Sequence, residues 1–422
     1  MDPLRFVVVG LGGYGLAHIE AVRWLATQGL GQLSGVVALD VDRQQRPELV
    51  ERLLKEQVVL YENTEQFFSA ASFTADILTV PIGINMHAPV SVAAMHAGLH
   101  VYCEKPVAAT VQEVDRLIEA AKETGKSIAI GFQHIYSNSI QQLKTRICDG
   151  RLGRVKTLTL MCGWPRSIQY YRRNEWAGRL RLRGDWILDS PANNAFAHFV
   201  MNALYLCSSQ QGHSATPLEM RAELYRANRI ESADMVQMHV VTDEGASVFI
   251  TLTHVNEKED GPSMELECEH GTVSWLTNDG ATVIHCTGGG IEEFDNRTHG
   301  NWRFEGFRDL VHSIQQGKKP LCTPELARPH TVTISAMHEC CPHIITIPEE
   351  FIAVVEDWEM FPPNTKGTFH RVKGLNEWMR EAFRQKKFFS ELEVPWGKST
   401  PTIPVPKSFS LENLNKLLTP GY

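Results

Sequence analysis

Phe6-Val7-Val8-Val9-Gly10-Leu11-Gly12-Gly13-Tyr14-Gly15 is the stretch on which the fold turns. Four consecutive apolar residues, three of them β-branched, read as a short strand buried on both faces. A G-x-G-x-x-G run follows without a gap. Ile19, Val22 and Leu25 then recur at three-residue steps, the spacing of one helix face. Gly10 allows the tight turn, Gly12 lets a diphosphate approach the backbone, and Gly15 lets helix and strand close on each other. The amides from Gly10 through Gly13 and Tyr14 to Gly15, and the positive end of the helix, then face one anion. This strand–glycine turn–helix unit predicts a dinucleotide site at the start of a Rossmann domain.

The same alternation continues to about residue 132. Short apolar runs at Phe6–Val9, Val36–Leu39, Ile77–Val80, His100–Cys103 and Ser127–Phe132 are separated by helical patterns, one of them Val111, Val114, Ile118 and Ala121. Thr110 with Glu113 three residues on is a capping box at that helix's start. Strands alternating with helices predict an α/β fold with a doubly wound parallel sheet over residues 1–135. The second strand is expected to end at Asp40. A carboxylate there accepts hydrogen bonds from a ribose and repels a 2′-phosphate, so NAD is expected over NADP. Asp42 is the competing position.

Beyond residue 135 the pattern changes. Residues 155–162, 236–241 and 247–254 read as strands without helices between them, residues 191–207 as a helix and about 303–317 as another. A C-terminal α+β domain over 136–350 is expected, built on a large, mostly antiparallel sheet. Residues 351–422 form a C-terminal extension. Prolines at 395, 401, 404 and 406 predict an extended, weakly ordered connector, and Leu411, Leu414, Leu417 and Leu418 a short amphipathic helix. At 422 residues the chain is too long for one typical domain. A net charge of −8 supplies no basic field for nucleic acid or an anionic membrane, and no stretch is apolar enough to span a bilayer. Nine cysteines, an odd number at mostly isolated positions, do not suggest a disulfide framework. No basic flank and long apolar core precede the first strand, so a reducing cytoplasm is the expected location.

Thr79-Val80-Pro81 closes one strand and His87 follows in the next turn. Cys103-Glu104-Lys105-Pro106 closes the next strand. Pro106 pushes Lys105 into extended backbone. That directs its side chain as the strand ends, in the crevice where open α/β sheets bind ligands. A lysine desolvated there exchanges protons; a surface Lys-Pro turn is the bland alternative. A Glu-Lys-Pro at this place, behind the glycine fingerprint, resembles the Gfo/Idh/MocA oxidoreductase family, which includes sugar and inositol dehydrogenases. The resemblance is close over the first 135 residues. It is looser to about residue 350, where Gly150-Arg151-Leu152-Gly153 and Cys322-Thr323-Pro324-Glu325 carry it. The glycine turn, Asp40, Pro81, His87, Glu104 and Lys105 become the expected cofactor-binding set, with Glu104 near the ribose or carboxamide.

The second constellation runs from Asp189 to His198. Asn194, His198 and Asn202 are spaced by four and are expected on one face of an otherwise apolar helix. A buried polar stripe needs partners, and a satisfied core network is the alternative to a site. The resemblance implies an Asp four residues before the His, both facing substrate beside the motif lysine. This chain has Asn194 there. An amide orients an imidazole but cannot stabilise an imidazolium with full charge, so Asp189 is the candidate to supply the missing carboxylate. A third segment carries Trp164, Arg166, Tyr170, Tyr171, Arg172, Arg173, Trp176, Arg179 and Trp186. Aromatic faces suit sugar rings and guanidiniums suit carboxylates or phosphates. Trp176 and Arg179 are the expected pocket residues, against the alternative of an exposed loop or oligomer contact. His338, Cys340, Cys341 and His343 match no common zinc spacing, so no metal is expected.

The resulting expectation is an NAD-dependent dehydrogenase moving a hydride between a secondary alcohol of a sugar, polyol or glycoside and nicotinamide. Lys105 is the first candidate to take the hydroxyl proton and His198 the second, with Asn194, Asp189 and Gln133 positioning hydroxyls. The alternatives are a redox-assisted glycoside-cleaving enzyme and a non-catalytic sugar sensor. The resemblance also implies a homodimer or larger assembly, paired through the open face of the second domain's sheet.

Overall fold

Strand β1 (Leu4–Val9) lies at the middle of a six-stranded sheet with β2 (Gly31–Val37), β3 (Val59–Tyr61), β4 (Ile77–Val80), β5 (His100–Cys103) and β6 (Ile128–Ile130). The order is β3-β2-β1-β4-β5-β6 and every pairing is parallel. The computed structural model describes residues 2–70, 74–276, 280–297, 301–359, 365–406 and 409. The chain divides into two compact units, Met1–Tyr136 with Gly300–Arg328 and Ser137–His299 with Pro329–Tyr422.

In the first unit the helix Gly15–Ala26 buries Ile19, Val22 and Leu25, the three positions its period marked. The helix Val111–Thr124 starts at the expected box: Thr110 Oγ1 accepts from the Glu113 N–H while the Glu113 carboxylate accepts from the Thr110 N–H. Gly125 ends it in left-handed backbone. Two details depart from the sequence reading. β3 was not visible, because three half-exposed residues at a sheet edge carry no measurable period. β2 stops at Val37 rather than running to Asp40. The chain makes one more ladder bond, Ala38 N–H to Tyr61 O, and then turns into the short helix Asp40–Gln45.

The helix Glu305–Gln316 was expected with the second domain but packs in the first unit. Its Phe307, Leu310 and Val311 join Phe6, Val8 and Ile19 in one core, and the Phe307 ring stacks on Tyr102 at 3.8 Å between centroids. Periodicity identifies an apolar helix face but not the core that the face fills.

The second unit holds β7 (Val155–Gly163), the short pair β8 (Arg181–Leu182) and β9 (Asp185–Trp186), then β10 (Pro217–Arg226), β11 (Met235–Thr242), β12 (Ser247–Thr253), β13 (Asp260–Cys268), β14 (Gly271–Leu276), β15 (Ala281–Cys286), β16 (Ile291–Asp295), β17 (Ile345–Thr346), the hairpin β18 (Ile352–Trp358) and β19 (Lys366–Val372), and β20 (Ile403–Pro404). The large sheet runs β16-β15-β14-β13-β7-β12-β11-β10-β17, with β20 added on β10. Only the β7–β12 and β10–β17 pairings are parallel. One face meets the helix Ala197–Leu206, whose Phe199 ring lies 6.3 Å from that of Trp275.

On the opposite face, Tyr225, Met235 and Phe249 are covered by Leu375, Met379, Phe388, Phe389 and Trp396. Residues 375–396 are therefore one wall of the second unit's core rather than a separate appendage. Each such side chain, fully buried, contributes about 1.5–3 kcal/mol. The proline-bearing stretch is docked as far as β20, contrary to the expected loose connector: Thr400 Oγ1 donates to Ala222 O at 2.6 Å, and Ile403 and Pro404 pair with Met220 and Glu219. Over β10–β12, the face expected to pair with another copy is occupied by this chain's own C-terminal residues. The leucines at 411–418 lie outside the described residues.

Among the described residues no helix is long and apolar enough to cross a membrane. Cys340 and Cys341 are free and buried, with their sulfurs 3.3 Å from the carbonyls of Met220 and His343, and burial pushes the two thiols up to about 12 and about 11.

Candidate functional site

In the first unit the site begins at the glycine turn. Gly10 has φ +102° and Gly13 φ +52°, backbone that side chains rarely adopt. A Cβ on Gly15 would stand 2.4 Å from Gly10 O, so helix and turn are in direct backbone contact. A Cβ on Gly12 would stand 3.1 Å from Asp42 Oδ1, which brings Asp42, the competing acid, to the mouth of the turn. Asp40 is exposed and opens the short helix that follows β2. Arg43, a cation of the kind that welcomes a 2′-phosphate, turns back instead, its Nε donating to Ala38 O at 3.0 Å. Pro81 follows β4, and its neighbour Ile82 lies against Gly10. This amide-lined turn, with acids beside it and Arg43 turned back onto Ala38 O, suits a dinucleotide without a 2′-phosphate.

Glu104-Lys105-Pro106 follows β5, and the Lys105–Pro106 peptide bond is cis. The Glu104 side chain is turned into the protein rather than toward a ribose. Its Oε2 accepts the Lys105 N–H at 3.0 Å and its Oε1 lies 3.2 Å from His18 Nε2. His18 stands one turn into the helix that the glycines open. It is walled by Tyr102 and Phe307, whose ring edges or faces lie at centroid distances of 5.5 and 4.9 Å. His87 is likewise buried, with Nδ1 2.8 Å from Pro106 O and Nε2 3.0 Å from Ile82 O, and burial lowers its basicity. It ties the loop after β5 to the turn after β4. Tyr14 donates its hydroxyl to Gln133 Oε1 at 3.1 Å, bringing an expected cofactor residue and an expected substrate residue together.

Four residues of this unit were missed by the sequence reading. His18 follows the last glycine by three residues, and that spacing was its one available signal. His134 is driven down to about 3 by burial and by the charges of Arg303 and Lys105. Trp302, 5.1 Å from the His134 ring, and Arg303, stacked on Trp302, arrive from a segment far along the chain.

In the second unit the structure brings Asp189, Asn194 and the Arg/Trp segment together. Asp189 Oδ2 accepts the Gly178 N–H at 2.6 Å and Oδ1 accepts the Asn194 amide at 3.0 Å. The same amide is 3.5 Å from the Tyr170 hydroxyl. Tyr170, Tyr171, Asp189, Asn194 and His254 border one small pocket. The helix carrying His198 starts at Ala197, not at Pro191, so Asn194 sits in the turn before it. The cause is local. Asn193 Nδ2 donates to the Ile187 and Leu188 carbonyls, and its N–H to Ser190 Oγ, which holds residues 190–196 in turns. His198 is buried in the first helical turn, at 8% exposure. Of the two expected pocket residues, Trp176 faces the Arg173 guanidinium at 5.1 Å, while Arg179 is half-exposed and 3.5 Å from Glu231.

Residues 4–132 match the family model described as an oxidoreductase family with an NAD-binding Rossmann fold, the Gfo/Idh/MocA model. Over those residues the chain is similar to the NAD-binding Rossmann domain of the Gfo/Idh/MocA oxidoreductases. Among curated relatives, myo-inositol 2-dehydrogenase of Thermotoga maritima is 27% identical over 171 residues, 40% of this chain and 48% of that protein. D-glucoside 3-dehydrogenase of Escherichia coli is 27% identical over 168 residues, 39% and 46% of the two chains. The chain thus spans about half the length of the curated relatives it matches. The WlbA dehydrogenase of Bordetella pertussis, solved with NADH and UDP-GlcNAcA, superposes with a TM-score of 0.64 at 19% identity, covering 80% of this chain and 96% of that one. A levoglucosan dehydrogenase solved with NADH and L-sorbose gives 0.68 at 15% identity with the same coverage. At those identities the two structures establish the shared fold.

Proposed function

We propose that this chain is an NAD-dependent oxidoreductase acting on a secondary alcohol of a sugar or polyol. The observation that carries the reading is the coupling, inside one unit, of the glycine turn to Lys105 through the buried His18–Glu104 contact. When bound, the nicotinamide ring supplies the hydride chemistry. The protein's part is alignment and proton traffic. Backbone amides between Gly10 and Gly15, whose own N–H groups are spent on Val37 O and Gly12 O, hold the diphosphate, and Asp40, with Asp42 beside it, accepts from the ribose and disfavours NADP. Glu104 and His87 fix the loop from which Lys105 takes or relays the hydroxyl proton.

In the second unit His198 is the second proton-handling group. Asn194 and Asp189, already hydrogen-bonded to each other, offer polar atoms to substrate hydroxyls, and Trp176 an apolar face to a sugar ring. The inositol and glucoside dehydrogenases among the relatives support a carbohydrate substrate.

Fluorescence titration with NADH and NADPH, followed by NADH formation on a panel of inositols, sugars and glycosides, tests this. NADH is expected to bind more tightly than NADPH. Lys105→Ala is expected to lower turnover by about 10²–10⁴ while the Kd for NADH stays within about threefold, under 1 kcal/mol. No binding of either coenzyme, or full turnover in Lys105→Ala, overturns the proposal.

A further inference from the structure

The arginines between residues 166 and 183 differ in how far their charge is already used. Arg179 lies 3.5 Å from Glu231 and Arg183 2.7 Å from Glu175. Arg181 stacks on Trp186 at 4.3 Å. Arg166 is buried between Trp164 and Tyr170, and its charge opposes the upward push that burial gives the Glu359 carboxyl. Arg172 is exposed, and among the described residues no ring or carboxylate holds it. Arg173 is uncommitted in charge but fixed in place. Its guanidinium carbon is 3.7 Å from the centre of the Tyr170 ring and 5.1 Å from that of Trp176, and its Nη1 donates to Tyr170 O at 2.6 Å. Two rings and a carbonyl thus set the plane of an exposed guanidinium. Among the described residues no carboxylate pairs with it, in a chain whose net charge is −8.

Tyr170, on which this cation rests, also borders the pocket shared with Asp189, Asn194 and His254. The one carboxylate there is compensated by the Gly178 N–H and the Asn194 amide. Burial first, then Arg166 and more weakly Arg173, hold His254 well below its ordinary range, so the pocket carries no imidazolium and feels the guanidinium charge. The Tyr171 hydroxyl is buried at this pocket with no hydrogen-bond partner among the described residues.

We propose that the second unit carries a subsite for the anionic group of a sugar ligand, a carboxylate or a phosphate, with the Arg173 guanidinium as its reader. The proposal rests on the carbohydrate reading above. A guanidinium held by stacking keeps donors free in a fixed plane, the arrangement that grips carboxylate or phosphate oxygens in pairs with little ordering cost. The Tyr170 and Trp176 rings beside it offer faces to the sugar carbons.

Protein saturated with NADH is titrated by calorimetry with D-glucuronate, D-glucose 6-phosphate and D-glucose. One of the two anions is expected to bind at least about tenfold more tightly than glucose, and the better anion distinguishes carboxylate from phosphate. Arg173→Gln is expected to erase the preference without changing NADH affinity, whereas Arg183→Gln, whose charge is committed to Glu175, keeps it. Glucose binding as tightly as both anions, or a preference that survives Arg173→Gln, overturns the subsite and leaves the carbohydrate reading standing. Failure of all three sugars to bind while NADH binds overturns both.

Discussion

Replacing His18 by leucine probes the link between the glycine-turn helix and the motif lysine. His18 is 1% exposed and Glu104 7%, with 3.2 Å between His18 Nε2 and Glu104 Oε1. Leucine approaches histidine in volume, so the change removes a hydrogen bond rather than opening a cavity. Glu104 keeps the Lys105 N–H on Oε2 and loses its partner on Oε1, where water has little access. A hydrogen bond to a charged group is worth about 1.5–3 kcal/mol, and breaking a buried pair from one side costs about 3–5 kcal/mol. With one donor remaining, a loss of about 2–4 kcal/mol is expected. At about 2–4 °C per kcal/mol for a unit of this size, Tm falls by about 4–16 °C.

Thermal unfolding followed by circular dichroism, on wild type, His18→Leu, Glu104→Leu and the double variant, measures it. The double variant is expected to be more stable than the sum of the singles predicts by at least about 1 kcal/mol, because an apolar pair leaves no charge stranded. A His18→Leu protein within about 0.5 kcal/mol of wild type, or strict additivity, refutes the reasoning.

Gly15→Ala places a Cβ at 2.4 Å from a backbone oxygen that no side-chain rotation can relieve. It is expected to cost about 1–3 kcal/mol of stability and to weaken NADH binding, measured by fluorescence titration; unchanged affinity would show that the turn does not hold the diphosphate. Stability is also expected to fall in acid. Burial holds the imidazoles of His100 and His338 at about 4, below their ordinary value of about 6.5. Each is neutral in the fold and binds a proton more readily when unfolded, so its contribution is complete above about pH 6.5 and is lost as pH falls toward 4. Urea midpoints are expected to drop across that window, and His338→Leu to flatten the drop by on the order of 1–3 kcal/mol; a variant with the wild-type slope would count against it.

What could be read in the chain beforehand was local. The glycine turn, the buried stripe at Ile19, Val22 and Leu25, and the Thr110–Glu113 cap each depend on residues within one or two helical turns, so their spacing carried the information. The acid after β2 was legible in kind, but the exact place where the strand stops depends on how long β3 can pair with it. Glu104 was legible as a motif residue. Its inward turn onto His18 was not, because 86 positions separate the two.

The order of residues by itself determined a dinucleotide-type α/β unit followed by a sheet-rich one, because helix and strand periods and turn chemistry act over a few residues. Tertiary structure decided the rest. It assigned the helix Glu305–Gln316 to the first core, laid the C-terminal segment over β10–β12, and left Arg173, rather than Arg179, with an uncommitted charge. Those outcomes depend on which surfaces meet, and side chains far apart in the chain compete for the same partners without leaving any periodic trace in the sequence.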